Sequence, residues 1–129
     1  MTAPHTRINL EDVEDAAPGN GFGDRWEARG ARTALETEQT GVTHFRLLPR
    51  KRSPFSHRHV NAEEIYVVLR GTGRIKLGDR FYELGPLDAV RVAPHVARAF
   101  EAGPDGLEFL AFGPHCPGDG EPVADPWVS

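Results

Sequence analysis

The chain has 129 residues, enough for one domain with a real core and no need of disulfides. Fifteen basic against nineteen acidic side chains leave a formal charge of −4, which argues against a dedicated nucleic-acid binder. The single cysteine, Cys116, excludes an intramolecular disulfide framework and a multi-cysteine zinc site, and the longest clean apolar run, Ile65 to Leu69, is far short of the roughly 18–20 residues of a membrane span.

Met1 to Leu10 lacks the apolar stretch of a signal peptide, so a cytosolic protein is expected. Fourteen glycines and eleven prolines favour short strands joined by turns over a helical bundle. Residues 1–30 read as an N-terminal arm, with an acidic cluster at Glu11, Asp12, Glu14 and Asp15 and a turn at Pro18-Gly19-Asn20-Gly21. Phe22 and Trp26 are the apolar anchors expected to dock it. From residue 31 to 113 the period of two predicts a barrel or sandwich of about eight strands. Val42 to Leu48 alternates and ends at Pro49. Glu64 to Leu69 is apolar on both faces, which predicts a strand buried on both sides. Gly71-Thr72-Gly73 is expected to turn the chain into Arg74 to Leu77, and Gly78-Asp79 to turn it into Phe81 to Leu84. Ala89 to Val92, Val96 to Phe100 and Leu107 to Phe112 complete the set, and no amphipathic helix of about ten residues appears. Residues 114–129 form a Pro- and Gly-rich tail with Trp127 as its anchor.

Charge is uneven along the chain. Arg46, Arg50, Lys51, Arg52 and Arg58 cluster before the central strand, whereas residues 101–129 carry six acids and no Lys or Arg. These are either solvated surfaces that attract each other or a basic rim that draws an anionic substrate.

The stretch richest in chemistry is His57-Arg58-His59-Val60-Asn61-Ala62-Glu63-Glu64. Histidines two apart on an extended segment point to one face, and a carboxylate opening the next strand can join them. Two imidazoles and a carboxylate are a common facial set for a divalent first-row metal with open positions. Taken alone, a His-X-His pair is more often a polar loop feature. His44 sits mid-strand and faces either the lumen or solvent. Tyr66 shares a face with Glu64 and either places its hydroxyl near a ligand or fills the barrel. Cys116 beside His115 lies in the tail, where adjacent side chains do not aim at each other, so a nucleophile pair is not expected.

The run from Pro54 to Gly73 resembles the first motif of the cupin superfamily. That motif has two histidines one residue apart, three or four residues, a glutamate, six residues and a glycine. His57, His59, Glu64 and Gly71 fit it, while Glu63 fits only the shorter first spacing and reads as a solvent-facing neighbour. The resemblance covers about residues 40–113. It implies an all-β double-stranded antiparallel β-helix, a jelly-roll barrel, with a metal held in its mouth by His57, His59 and Glu64. Iron, manganese, nickel and zinc all suit that set. It also implies a homodimer, for which the apolar outer face of Ile65, Val67 and Leu69 is suited.

The second motif departs from the pattern. Leu87 to Pro94 matches its strand and turn and Phe100 its late aromatic, but Arg98 stands where the fourth ligand, a histidine, is expected. His95 lies three positions too early to replace it, because an odd shift turns the side chain to the other face. Arg98 reads three ways: a lumen-facing grip on an anionic group, a partner of Glu64 in a metal-free barrel, or an outward side chain. The expected function is a small metal-binding cupin holding a small anionic organic ligand, with Arg98, Tyr66 and His44 as candidate ligand-binding residues. Isomerisation, dioxygenation and decarboxylation all fit it, and a fold resemblance does not choose between them. The alternative is a non-catalytic, metal-free binding or sensor barrel.

Overall fold

The computed structural model describes residues 4–123 and Trp127. Eight antiparallel strands form one curled sheet of jelly-roll type, as the sequence predicts. They are β1 (Trp26–Gly30), β2 (Thr40–Leu47), β3 (Ser56–His59), β4 (Glu64–Leu77), β5 (Arg80–Leu84), β6 (Ala89–Val92), β7 (Arg98–Pro114) and β8 (Gly120–Val123). One path runs β1-β2-β7-β3-β8, and β4 pairs with β5, β6 and β7. The helix α1 (Arg32–Leu35) is four residues long, and no described helix is long and apolar enough to cross a membrane.

Two elements differ from the sequence expectation. Gly71-Thr72-Gly73 is not a hairpin turn. It lies inside the continuous strand β4, whose register against β7 shifts between Val68 and Arg70 and again between Gly71 and Gly73. Likewise the segments expected around Phe100 and around Phe109 are one strand, β7. The cause is the opposite wall: between Ala102 and Leu107 the chain of β7 makes an excursion that β4 must accommodate. A side chain on Gly71 would sit 2.1 Å from the Gly106 carbonyl oxygen, and one on Gly73 2.3 Å from that of Glu101. Gly71 also has a φ of 79°, in the left-handed region that favours glycine. The glycines therefore mark a bulged waist where the sheet bends.

Inside the curl, alternate residues of facing strands form the core: Leu47, Tyr66, Val68, Ile75, Val92, Phe100, Leu107 and Phe109. Phe109 stacks on Phe45 at 5.1 Å and on Phe100 at 4.3 Å between ring centroids. The outer face of β4 is not buried on both sides as its composition suggests, since Ile65 and Leu69 are exposed. Among the described residues no second layer covers them.

Both flanking segments contribute strands. Trp26–Gly30, within the arm as read from sequence, pairs with β2 along its whole length, and β8 in the tail pairs with β3. Asp15 fastens the arm, since one carboxylate oxygen accepts the backbone N–H groups of Ala17 and Ala28. Trp26 packs on Phe45 and Phe55, and Phe22 on Phe55. Trp127 stacks on Phe81 at 5.7 Å. The basic run and the acidic stretch meet as partners: Arg52 with Glu101, Arg46 with Glu108 and Arg58 with Glu121. Burial raises the Glu101 carboxyl, but bonds from Arg52 and Arg74 outweigh it and hold the pKa below the ordinary range.

The waist yields a stability prediction. Gly71→Ala should cost about 3 kcal/mol, because strain in the left-handed region adds to a backbone clash. Equilibrium urea unfolding measures it, and an unchanged midpoint would show that the waist relaxes freely.

Candidate metal centre and binding cavity

β3 is short and carries its two histidines on one face. Arg58, between them, points outward and pairs with Glu121 at 3.0 Å. His57 lies directly across from Arg98 at the start of β7, and Glu64 opens β4. Three strands thus deliver His57, His59, Glu64 and Arg98 to one point inside the sheet. The His57 and His59 rings are 5.1 Å apart and nearly perpendicular. Glu64 Oε1 lies 3.4 Å from His57 Nε2 and 3.2 Å from His59 Nε2. One donor atom from each of His57, His59 and Glu64 falls within 4.8 Å of the others.

These spacings suit a divalent ion. Two bonds of about 2.1 Å to a common centre put the donors roughly 3–4 Å apart. Both ring nitrogens of His59 are buried without a hydrogen bond, so its Nε2 presents an unspent lone pair. Asp119 stands 3.3 Å from His59 Nδ1, where a carboxylate favours the Nδ1 proton and leaves Nε2 free to ligate. Asp119 itself is pinned by the backbone N–H groups of Asn61 and Ala62 and by the Asn61 amide. Burial raises its pKa, but these bonds win and hold it below the ordinary value. The sequence reading did not single out Asp119. A lone acid in a Gly-rich tail carries no local signal, and only the pairing of β8 with β3 brings it to the site.

Arg98 is buried, at 1 % exposure. Its Nη1 donates to Glu64 Oε1 at 2.7 Å, its Nε to the Val96 carbonyl, and its Nη2 to those of Ala93 and Pro94. The Tyr66 hydroxyl donates to the same Glu64 oxygen at 2.6 Å. Burial pushes the Tyr66 phenol well above its ordinary pKa, and the neighbouring Glu64 charge adds to this, so the hydroxyl keeps its proton. Burial likewise raises Glu64, but hydrogen bonds from His57 and Tyr66 and the electrostatic influence of the two neighbouring histidines outweigh it and hold the carboxyl down at about 2.

His44 is not brought to this cluster. Thr43 and Phe45 line the cavity, so the intervening side chain projects from the other face of β2. There His44 Nε2 lies 2.6 Å from Glu108, which also accepts Arg46. Its burial comes from that outer network and not from the lumen. Glu63 is exposed and pairs with Arg91, apart from the site. His95 is exposed in the turn before β7, and Cys116 lies after β7 with no part in the triad.

Above the triad opens a cavity of about 70 Å³ lined by Trp26, Phe45, Phe55, Phe100, Phe109 and Tyr66 around His57, Glu64 and Arg98. Among the described residues that line it, Glu64 is the one acid and Arg98 the one fixed cation, so these charges cancel unless an ion is added.

The family profile described as a cupin domain matches residues 43–112, more than half of the chain. No curated protein matches. Among solved structures, a cupin protein from Bacteroides fragilis is 22% identical with a TM-score of 0.72, covering 91% of this chain and 89% of that one. A polyketide cyclase from Streptomyces resistomycificus is 24% identical with a TM-score of 0.74, covering 95% and 89%. A sugar phosphate isomerase from Silicibacter pomeroyi is 19% identical with a TM-score of 0.73, covering 92% and 82%. Likeness at these identities speaks for the fold.

The Arg98–Glu64 pair is open to a double-mutant cycle. In metal-free protein Arg98→Met should cost about 3 kcal/mol, because it strands a buried carboxylate. Adding Glu64→Gln should recover much of that, and additive losses in denaturant titrations would mean the pair is not coupled. A carboxyl held at about 2 against an ordinary 4.5 lends stability above the ordinary value, and that contribution fades as pH falls toward 2.

Proposed function

Because the chain belongs to the cupin family, we propose that it is a metal-binding member whose barrel mouth holds a small anionic organic ligand. The observation that carries this reading is the convergence of His57, His59 and Glu64 with both His59 nitrogens buried and unsatisfied. In this reading the three residues hold a divalent first-row ion. A bound ion supplies Lewis acidity, polarising an oxygen group of the ligand. The remaining work falls to the chain itself. Asp119 orients His59, Tyr66 and Arg98 fix the Glu64 carboxylate, and the aromatic walls exclude water. The charge balance favours an anion: Arg98 already cancels Glu64, so a divalent ion leaves the cavity with two uncompensated positive charges.

A second reading has its own support. Arg98 Nη1 lies 2.7 Å from Glu64 Oε1, closer than either imidazole, so a permanent cation already serves this carboxylate. On that reading the barrel is metal-free and binds without catalysing. Elemental analysis of untagged protein separates the two. Near-stoichiometric metal, lost in His57→Ala and His59→Ala with unchanged circular dichroism, is expected on the first. Arg98→His should then tighten metal binding at least tenfold by adding a fourth donor. Protein that stays metal-free after reloading with iron, manganese, nickel and zinc supports the second.

The same proposal includes a homodimer formed through the outer faces of β4 and β7. Ile65, Leu69 and Phe112 are 44%, 36% and 37% exposed there, and Ile65 lies directly beside Phe112 in register. Sedimentation at micromolar concentration should return twice the 14.2-kDa chain mass, and a monomer alone would remove this part of the proposal.

A further inference from the structure

Two cavities share His57 in their walls. The first is the 70 Å³ space over the triad. The second, about 470 Å³, lies between β1, β2 and the arm segment from Ala16 to Phe22, and shares Trp26, Thr43, Phe45, Phe55 and His57 with the first. We read the two as one channel, from His57 and Glu64 to the underside of the arm, on the strength of this shared lining. Its walls are rings: Trp26 and Phe45 lie 4.7 Å apart, and Phe55 meets Trp26 edge-on at 5.9 Å.

Ser53, Asn20 and Arg98, polar residues along this channel, already have partners. Ser53 Oγ donates to the Phe55 carbonyl and accepts the Phe100 N–H. The Asn20 amide donates to the Ala16 carbonyl. Arg98 spends its donors on Glu64 and three carbonyls. A ligand rich in hydroxyls would leave them unpaired in the channel, at a cost for each. A flat ring recovers apolar burial and ring–ring contact instead. Charge is matched only at the inner end, beside His57, Glu64 and Arg98.

We propose that the ligand is a planar aromatic compound bearing an oxyanion, a phenolate or an aromatic carboxylate. Its ring lies in the larger cavity, against the walls formed by Trp26, Phe45 and Phe55, and its anionic oxygen points to the triad. This rests on the metal-centre reading above for the oxyanion's partner, while the ring preference rests on the channel walls alone.

The test uses the full chain, loaded with zinc and freed of excess by gel filtration. Its probes are 2-hydroxybenzoate and lactate, which present the same hydroxyl–carboxylate donor set with and without a ring, and glucose 6-phosphate as the polar control. Calorimetry should show 2-hydroxybenzoate binding at least tenfold more tightly than lactate, with glucose 6-phosphate weaker still. Phe55→Ala should lower 2-hydroxybenzoate affinity at least fivefold, with zinc content and lactate binding unchanged. Lactate or glucose 6-phosphate binding as tightly as the aromatic probe, with zinc at one per chain, overturns the inference and leaves the metal centre standing. Failure to retain zinc, with the aromatic preference intact in metal-free protein, overturns the metal centre and leaves the ring channel supported. Loss of the preference in both forms overturns the inference whatever the zinc content.

Discussion

A guanidinium that keeps its proton at any ordinary pH, walled off from water, needs a carboxylate and a set of carbonyls around it. Arg98 has both. Its bond to Glu64 ties β7 to the head of β4, and its bonds to Ala93, Pro94 and Val96 satisfy the carbonyls of the turn that precedes it. A histidine at this position could donate to only one or two of these groups. Arg98 is thus a structural hub that shapes the turn and fixes the Glu64 side chain.

The interior is divided between chemistry and volume. At one end the imidazoles, Glu64, Arg98 and Tyr66 share a single carboxylate oxygen as their meeting point. Beyond them the stacked rings of Phe100, Phe109 and Phe45 carry the core outward to Trp26 and the arm. The low dielectric of that ring stack strengthens each charge contact it adjoins. The arm is part of this enclosure, because Asp15 holds it against β1 through two backbone amides.

What was legible in the sequence was what is local. The spacing of His57, His59 and Glu64 survives into three dimensions because a four-residue strand and the start of the next position all three. For Arg98 the sequence left an inward and an outward setting open, and its burial beside Glu64 decides. Long-range features were not legible. Asp119 reaches His59 only through the pairing of β8 with β3, more than fifty residues away along the chain. The parity of β2 was also hidden, because both of its faces mix polar and apolar residues. So His44 is buried, yet among Glu108 and Arg46 and not in the lumen. At Gly71 and Gly73 a local glycine pair is compatible with a hairpin or a bulge, and the excursion in β7 decides.

Among the described residues β3 is in ladder register with β7 at one pair, His57 with Arg98, with the Ser56 hydroxyl donating to the Arg98 carbonyl beside it, and with β8 along all four of its residues. The strand bearing both imidazoles therefore owes its anchorage to the C-terminal segment, which also delivers the carboxylate behind one of them. A protease nick between Cys116 and Asp119 would leave the cupin profile segment whole while unmooring the histidines it is known by. Change in this segment thus bears on the His57–His59–Glu64 cluster before it bears on the paired strands β2, β4 and β7.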